Sequence, residues 1–278
     1  MKQLSITNIQ RGCVYDGPGV RTTVFCKGCL LRCPWCCNPE ALCNEPSYFF
    51  DEEACLLSKG LSSNYCKECE VNQGRVSISN CPFDVKRNVA FSYTSDDLIS
   101  VLVKDKSLFE RTSGGITFSG GEPFLQSEAL LPVLKGLKKE SVNIAFETSL
   151  YAPTESIKSL LPFIDCLIVD LKLQPQVGLD SRHYLDTLFN HYSLIKDKQI
   201  VCRMVFVDEV ANHQQKVVDI LNNLGVTTID VLRCHDMANK KYQLLRMPHK
   251  DYSSDYDLCV GFVRFLAQEG KLVSLLNV

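Results

Sequence analysis

The stretch Val20-Arg21-Thr22-Thr23-Val24-Phe25-Cys26 reads as a buried strand, and Cys29-Leu30-Leu31-Arg32-Cys33-Pro34-Trp35-Cys36 follows it almost directly. The second segment has the spacing C-x3-C-x2-C. Three thiols this close in sequence can wrap one metal cluster, and a [4Fe–4S] cube, which normally takes four thiolates, would keep one iron free to bind something else. Spacing alone leaves alternatives. Cys26 and Cys37 flank the triad and can compete as ligands, and Cys26-x2-Cys29 with Cys33-x2-Cys36 has the form of a structural zinc knuckle.

Working outward from the triad, the chain alternates strand and helix. Thr94-Ser95-Asp96-Asp97 gives a polar start with acids in the first turn, and Leu98, Val101, Leu102, Leu108 and Phe109 recur at helical spacing. Short apolar strands are expected over 115–119, 142–146, 165–173, 199–207, 226–232 and 271–275, with helices over about 124–139, 154–162, 181–197, 212–224 and 255–268. Strands alternating with helices imply a parallel sheet with right-handed crossovers. Continuous rather than alternating apolar strands imply a sheet covered on both faces. With residues 20–26 as the first strand the count is about six βα units, fewer than a closed eightfold barrel requires. A partial barrel or a doubly wound sheet fits, and in either the site lies at the carboxyl ends of the strands.

Composition narrows the function. Of 278 residues 45% are hydrophobic and 22% charged, which excludes a disordered or fibrous chain. Lys plus Arg is 30 and Asp plus Glu is 32, a net charge of −2, so phosphate-driven binding of nucleic acid is not expected. No stretch has the roughly 18 apolar residues of a membrane helix and the first residues lack a signal-peptide core, so a cytoplasmic protein without a membrane is expected. The unusual number is 15 cysteines, an odd count that cannot close entirely into disulfides. In a reducing compartment such density points to metal or redox chemistry. Cys166, Cys202, Cys234 and Cys259 are scattered singly and read as small core residues; the other eleven lie between Cys13 and Cys81.

Five of those eleven, Cys43, Cys55, Cys66, Cys69 and Cys81, fall in residues 43–93, where apolar periodicity is weak. A segment of that size buries little core and needs a metal to hold it. The expected organisation is therefore one main domain of residues 1–42 and 94–278, with 43–93 a cysteine-rich insert.

The carboxyl ends of the expected strands carry unusual residues. Ser119-Gly120-Gly121-Glu122-Pro123 ends one strand; its glycines allow close approach of backbone to a ligand, or merely a tight turn. Glu147-Thr148-Ser149 ends the next, and Asp170-Leu171-Lys172 the one after, with Asp170 and Lys172 on one face. Such charges are costly to bury unless they are paired or bind something, and a structural ion pair at a barrel rim is the plainer reading. Arg203 lies on the following strand, and His235 follows the sixth.

The triad, read as C-x3-C-x-aromatic-C, together with Asp16-Gly17-Pro18-Gly19-Val20-Arg21-Thr22-Thr23 before it and Asn38-Pro39-Glu40 after it, resembles the radical S-adenosylmethionine (SAM) enzymes that activate glycyl radical enzymes, the branch of pyruvate formate-lyase activating enzyme. The resemblance runs from the N-terminus to at least His235. It implies an α/β fold: a partial (β/α)6 barrel of the radical SAM type with a small ferredoxin-like insert. It implies that Cys29, Cys33 and Cys36 hold a [4Fe–4S] cluster whose open iron is chelated by SAM. Gly120, Gly121 and Glu122 match the family's Gly-Gly-Glu-Pro motif, which holds the methionine end of SAM. Glu147, Thr148, Asp170 and Lys172 match SAM-contacting positions, the first three with a monovalent cation as well. Leu232-Arg233-Cys234-His235 resembles the segment whose His reaches the methionine carboxylate, and Arg203 joins the same set. Trp35 is expected to pack on the adenine, and Asp16 to meet the partner's glycine loop. In the insert, Cys55, Cys66, Cys69 and Cys81 are expected to ligate one auxiliary [4Fe–4S] cluster, with Cys43 spare.

The activity so implied is reductive cleavage of SAM to a 5′-deoxyadenosyl radical, which takes a hydrogen atom from a glycine of a partner glycyl radical enzyme, with reduced flavodoxin or ferredoxin as electron donor. Cys29, Cys33, Cys36, Lys172 and Asp16 are the expected catalytic set. The chain departs from the family at Leu150, where Gly is usual, at Val210-Ala211-Asn212 in place of a Pro-Gly-x-Asn turn, and at Arg233, where Pro is common. These departures leave room for a radical SAM enzyme acting directly on a small molecule or peptide. A zinc-stabilised, non-enzymatic binding module is the third reading.

Overall fold

The computed structural model describes residues 2–61, 64–66, 83–173 and 181–276. A nine-stranded mixed sheet forms its centre. Strands β1 (Leu4–Cys13) and β2 (Arg21–Cys26) pair antiparallel, and β5 (Phe91–Tyr93) pairs antiparallel with the outer side of β1. From β2 the sheet continues in order through β6 (Gly115–Gly120), β7 (Asn143–Thr148), β8 (Cys166–Asp170), β9 (Gln199–Phe206), β10 (Thr228–Arg233) and β11 (Leu272–Leu276), each neighbouring pair parallel. The terminal strands β5 and β11 are not neighbours, so the sheet is an open, partial barrel. The central parallel strands are buried almost end to end, most completely in β6 and β8, as a sheet covered on both faces requires, and burial falls off toward the edge at β10 and β11.

Helices fill the crossovers: α1 (Ser95–Leu102) and α2 (Lys106–Thr112) before β6, α3 (Ser127–Lys139), α4 (Thr154–Leu160), α5 (Ser181–Leu194), α6 (Gln214–Leu224), and α7 (Asn239–Leu244) with α8 (Tyr256–Gln268) before β11. Helices α1 and α8 start on side-chain caps. Thr94 Oγ1 accepts from the Asp97 amide at 3.2 Å, and Asp255 Oδ1 accepts from the Leu258 amide at 2.9 Å. The inward stripes, such as Leu130, Val133, Leu134 and Leu137 of α3, join one continuous core with the sheet.

Two differences from the sequence reading have local causes. The sheet does not begin at residue 20, because β1 precedes it. Only Leu4, Ile6 and Cys13 of β1 are buried, and register shifts between Ile6 and Asn8 and between Arg11 and Cys13 break the period of two. Strand β5 lies within the residues assigned to the insert yet belongs to the main sheet; it is three residues long and Phe91 is exposed, so it carries little hydrophobic pattern. Elsewhere in that range β3 (Tyr48–Phe50) and β4 (Lys86–Asn88) pair antiparallel, and Phe50, Cys55 and Val85 form a small core separate from the main one.

Arg21 explains part of the Asp-Gly-Pro-Gly-Val-Arg segment. Its side chain is fully buried and donates only to neutral acceptors: Thr117 Oγ1 at 3.0 Å, Asn143 Oδ1 at 2.8 Å, and the carbonyls of Ile116 at 2.7 Å and Pro18 at 3.3 Å. Burial pushes its pKa down to about 10, which still leaves it charged at neutral pH. The guanidinium thereby ties the loop holding Asp16 to β6 and β7.

Candidate active site

One cavity gathers the carboxyl ends of five consecutive parallel strands against the cysteine loop. Ser119, Gly120 and Gly121 line it from β6, Glu147, Thr148 and Ser149 from β7, and Asp170 and Lys172 from β8. Val205 lines it from β9, and Leu232 to His235 from β10. Cys29, Cys33, Cys36 and Trp35 form the opposing wall. The cavity lies at the strand carboxyl ends, where parallel α/β sheets place their sites.

The loop geometry follows from its glycines. Gly120 has φ +99°, and an added Cβ would lie 2.6 Å from the Cys26 amide nitrogen. A Cβ on Gly121 would lie 2.2 Å from the Gly28 carbonyl oxygen. The Gly121 amide donates to Cys26 O at 2.8 Å and the Glu122 amide to Gly28 O at 2.7 Å. The two glycines thus press the end of β6 against the root of the cysteine loop, a second reason for the Gly-Gly pair besides approach to a ligand.

Glu122 is placed differently from the other expected binding residues. Its carboxylate is completely buried and does not line the cavity. Oε1 accepts from Thr148 Oγ1 at 2.7 Å; Oε2 accepts from the Ser149 amide at 3.0 Å and from Ser149 Oγ at 2.8 Å. Burial pushes its pKa up to about 7, against the pull of those donors. Glu122 therefore clamps the end of β7 beside the Gly-Gly turn.

Arg203 and Asp16 also stand outside the cavity lining. Arg203 donates from Nη1 to Glu147 Oε1 at 2.9 Å and from Nη2 to the Tyr15 carbonyl at 2.5 Å. Burial opposes its charge, but Glu147, Asp170 and Asp230 outweigh it and raise its pKa. Ser119 Oγ donates to the other oxygen of Glu147 at 2.5 Å, so both carboxylate oxygens are engaged within the chain. Asp16 Oδ2 accepts from Thr23 Oγ1 at 2.5 Å, and burial, with Glu147 nearby, raises its pKa.

Lys172 forms an ion pair with Asp170 Oδ2 inside the cavity. Burial alone would favour the neutral amine; Asp170, with Cys33 and Cys36 close by, reverses this and raises its pKa. Tyr184, buried beneath, accepts from the Lys172 amide at 3.1 Å and fixes the backbone there. His235 Nδ1 accepts from the Met237 amide at 3.3 Å, which puts the proton of the neutral ring on Nε2.

The chain's own residues fit the cluster and ligand that the triad suggests. All three cysteines are free and face one cavity. Burial raises the pKa of each thiol, that of Cys29 to about 11, so the bare loop favours neutral thiols and metal binding would displace their protons. Two buried polar atoms of the lining, Trp35 Nε1 and Asp170 Oδ1, have no hydrogen-bond partner, a deficit that a polar ligand would make good. Among the described residues, no three His, Cys, Asp or Glu side chains converge as the ligands of a single ion do.

The departures keep the backbone shape by other means. Leu150 adopts φ +59°, the left-handed conformation that Gly would favour, and its side chain is fully buried. Val210 is buried within a 3-10 turn over Asp208–His213 that replaces the Pro-Gly turn. Arg233 donates from Nη1 to Ser254 O at 2.8 Å, bracing the strand end where Pro is common.

Of the expected insert ligands, Cys55 lies in the small core with Phe50 and Val85, Cys66 closes a 3-10 turn over Asn64–Cys66, and Cys69 and Cys81 lie outside the described residues. The sequence reading missed Ser119 and Ser149, which line the cavity, and Lys241 and Tyr242, which grip the cysteine loop. The last two sit in a six-residue helix with no apolar period, so only the fold reveals them.

The comparisons with known proteins agree. A family model described as a 4Fe-4S single cluster domain matches residues 15–183. The (2S)-3-sulfopropanediol dehydratase activating enzyme of Klebsiella oxytoca is 29% identical, over 88% of this chain and 86% of its own. The 4-hydroxyphenylacetate decarboxylase activating enzyme of Clostridioides difficile is 30% identical, over 95% of this chain and 93% of its own. The crystal structure of QueE from Escherichia coli shares the fold, with TM-score 0.54 and 16% identity over 99% of this chain and 95% of that one.

The architecture is the partial barrel of radical SAM enzymes. The chain belongs to the family of glycyl-radical-enzyme activating enzymes. It is thus an enzyme with redox chemistry whose matched family model is that of a 4Fe-4S cluster domain, and anSMEcpe, which shares the fold at 13% identity and TM-score 0.52 over 89% of this chain and 61% of that one, is described with bound AdoMet. The reading as a non-enzymatic zinc module is set aside.

Proposed function

We propose that Cys29, Cys33 and Cys36 hold the [4Fe–4S] cluster and that the cavity facing them holds SAM, for generation of a glycyl radical on a partner enzyme. The observation that carries this reading is the convergence of the three cysteines and five strand ends on a single cavity. Bound there, the reduced cluster would supply one-electron cleavage of SAM to a carbon radical able to take a hydrogen atom from a glycine Cα.

The chain's residues then have separable tasks. Gly120 and Gly121 offer backbone groups at the end of β6, and Glu122 sets their shape by holding Thr148 and Ser149. Lys172 stays charged and donates toward a carboxylate, and Asp170 Oδ1 remains open to accept from an amino group. His235 Nε2 provides a further donor on the opposite rim. Glu147, locked by Ser119 and Arg203, keeps negative charge beside this site, and a monovalent cation would have to compete with Arg203 for it. Trp35, between Cys33 and Cys36 in the chain and packed edge-on against Tyr252 with ring centroids 6.3 Å apart, lines the cavity and presents Nε1. Asp16, held by Thr23, stands in the loop that Arg203 ties to β9 and would meet the partner's glycine loop.

The partner is a glycyl radical enzyme, in keeping with what the curated relatives are named for activating. The electron donor is a reduced flavodoxin or ferredoxin, and the insert takes one auxiliary [4Fe–4S] cluster through Cys55, Cys66, Cys69 and Cys81. A reducing, cytoplasmic setting suits fifteen cysteines, an odd number that cannot close entirely into disulfides; no described helix is long and apolar enough to cross a membrane.

The test is to mix anaerobically reduced protein, SAM and a candidate glycyl radical enzyme and to record the electron paramagnetic resonance spectrum. A doublet from a backbone glycyl radical on the partner is expected. SAM cleavage that requires a small molecule and never yields a polypeptide radical would transfer the reading to direct modification of that molecule.

A further inference from the structure

The cysteine loop is gripped by two consecutive residues far away in the chain. Lys241 of α7 donates from Nζ to the Cys37 carbonyl at 3.0 Å, to Asn38 Oδ1 at 3.2 Å and to Glu40 Oε1 at 2.7 Å. Those three acceptors use all three protons of the ammonium group. Tyr242 donates from its hydroxyl to the Cys36 carbonyl at 3.0 Å. Lys241 and Tyr242 do not themselves line the cavity that faces the cluster cysteines, whereas Cys36, Cys37 and Asn38, whose atoms they hold, do.

The Tyr242 half of the grip is buried, while the Lys241 side chain is half-buried. The Tyr242 ring stacks on His249 with centroids 3.9 Å apart and planes 14° from parallel. His249 Nε2 is in turn 2.6 Å from Asn239 Oδ1 at the start of the same helix. Glu40 is buried as well, its second oxygen has no hydrogen-bond partner, and Lys241 is the one ion-pair partner of its carboxylate among the described residues, with the buried Lys27 ammonium nearby on the Glu40 carbonyl at 2.9 Å. The Asn-Pro-Glu segment after the triad therefore supplies Lys241 with two side-chain acceptors and one carbonyl next to it. The same helix region meets the insert: Arg246 lies over the Phe50 ring at 4.3 Å and pairs with Glu52 at 3.5 Å, and Lys240 pairs with Glu53 at 3.6 Å.

We propose that Lys241 and Tyr242 are positioning residues for the cluster: they fix the backbone of its third cysteine ligand, and the Lys241–Glu40 pair sets the charge near that ligand. This rests on the assignment of the cluster to Cys29, Cys33 and Cys36. Loss of the two carbonyl contacts frees the loop at Cys36 and Cys37, so the cluster is released faster. Loss of Lys241 alone also removes the direct ion pair of the buried Glu40 carboxylate and makes the surroundings of the loop more negative by one charge. A cluster gains negative charge on reduction, so a negative neighbour makes reduction harder; net charge and hydrogen bonding are among the determinants of such potentials.

The experiment uses the full chain, reconstituted anaerobically, as wild type and as Lys241→Met, Lys241→Arg, Tyr242→Phe, Glu40→Gln and the Lys241→Met/Glu40→Gln pair. Iron and sulfide per chain, the rate of iron transfer to a ferrous chelator, and the midpoint potential of the cluster whose paramagnetic signal changes on adding SAM are measured. Lys241→Met and Tyr242→Phe are expected to lose iron on the order of tenfold faster, the effect of one lost charged or buried hydrogen bond. Lys241→Met is expected to shift the potential to more negative values, Glu40→Gln to more positive ones, and the double variant to return it to the wild-type value while iron loss stays fast. Lys241→Arg is expected to restore both. Should Lys241→Met fail to fold, Glu40→Gln still decides: an unmoved potential overturns the charge role. Iron retention and potential in Lys241→Met equal to wild type overturn the proposal as a whole. A wild type with no SAM-responsive cluster would instead overturn the assignment to the triad, and the clamp with it; a responsive wild type with indifferent Lys241 variants overturns the clamp alone.

Discussion

Leu150 offers a test of how the active-site loop keeps its shape without the glycine usual in this family. It follows Thr148 and Ser149, which line the cavity, and sits at φ +59° with its side chain fully buried. Its amide donates to Thr148 Oγ1 at 2.9 Å, and its carbonyl accepts from His191 Nδ1 at 2.8 Å. His191 is itself buried, with Nε2 2.8 Å from Thr154 Oγ1, so the left-handed turn is held from both ends. Left-handed backbone costs a side-chain-bearing residue about 1–2 kcal/mol, which burial of the leucine offsets.

Truncation to Ala removes most of that burial and keeps the strain, so Leu150→Ala is expected to destabilise by about 2–5 kcal/mol. Truncation to Gly loses roughly one more methyl, about 0.8 kcal/mol, and some backbone entropy, about 0.5–1 kcal/mol, but relieves the strain. The two variants are therefore expected to agree within about 0.5 kcal/mol. At Leu130, equally buried but in the middle of α3, nothing relieves the glycine, and Leu130→Gly is expected to fall below Leu130→Ala by about 1.5 kcal/mol or more. Urea unfolding of the four variants, followed by far-ultraviolet circular dichroism under argon, measures both differences. A gap at residue 150 as large as that at residue 130 would refute a left-handed Leu150.

Glu122 makes stability depend on pH. Its folded pKa, about 7, lies above its ordinary 4.5, so the folded state keeps a proton that the unfolded chain releases. Stability of the cluster-free protein is expected to fall by about 3 kcal/mol as pH rises from 4.5 to 7, with no further change from this group above that range, and Glu122→Gln is expected to lack that slope in denaturation curves across pH. Gly121→Ala would place its methyl about 2.2 Å from Gly28 O, forcing β6 away from the root of the cysteine loop; iron content after reconstitution should fall, and a full complement would show that the contact is dispensable. Arg203→Met leaves the half-buried Glu147 without its ion pair and frees the Tyr15 carbonyl, and a loss of about 3 kcal/mol or more in thermal or urea unfolding is expected, with Arg203→Lys intermediate. Replacing Cys66 and Cys69 together with Ser should lower iron from about eight to about four per chain if the insert holds a cluster, and leave it at about four if it does not.

The order of strands and helices in the barrel was legible because fully buried parallel strands and amphipathic helices differ in apolar period. The cysteine triad, the Gly-Gly turn and the charged strand ends were legible as well: thiols, paired glycines and buried charges are chemically conspicuous and fall where strands end. What each charged group does was not legible. Glu122 stands at an expected strand end and Arg203 on the expected strand, yet Glu122 clamps Thr148 and Ser149 and Arg203 joins Tyr15 to Glu147, because only packing decides which neighbour a side chain reaches. Strand β1 escaped notice because bulges interrupt its alternation.

By itself the order of residues determined the family, the cluster ligands to be expected and the end of the sheet where they meet, since these depend on local chemistry and on the handedness of βα units. Tertiary structure alone decided which carboxylates remain available to a ligand, how Leu150 takes a glycine's conformation, and that Lys241 and Tyr242 close the loop from 204 and 206 residues away. Those outcomes depend on burial and on contacts between distant segments, and neither periodicity nor spacing along the chain encodes them.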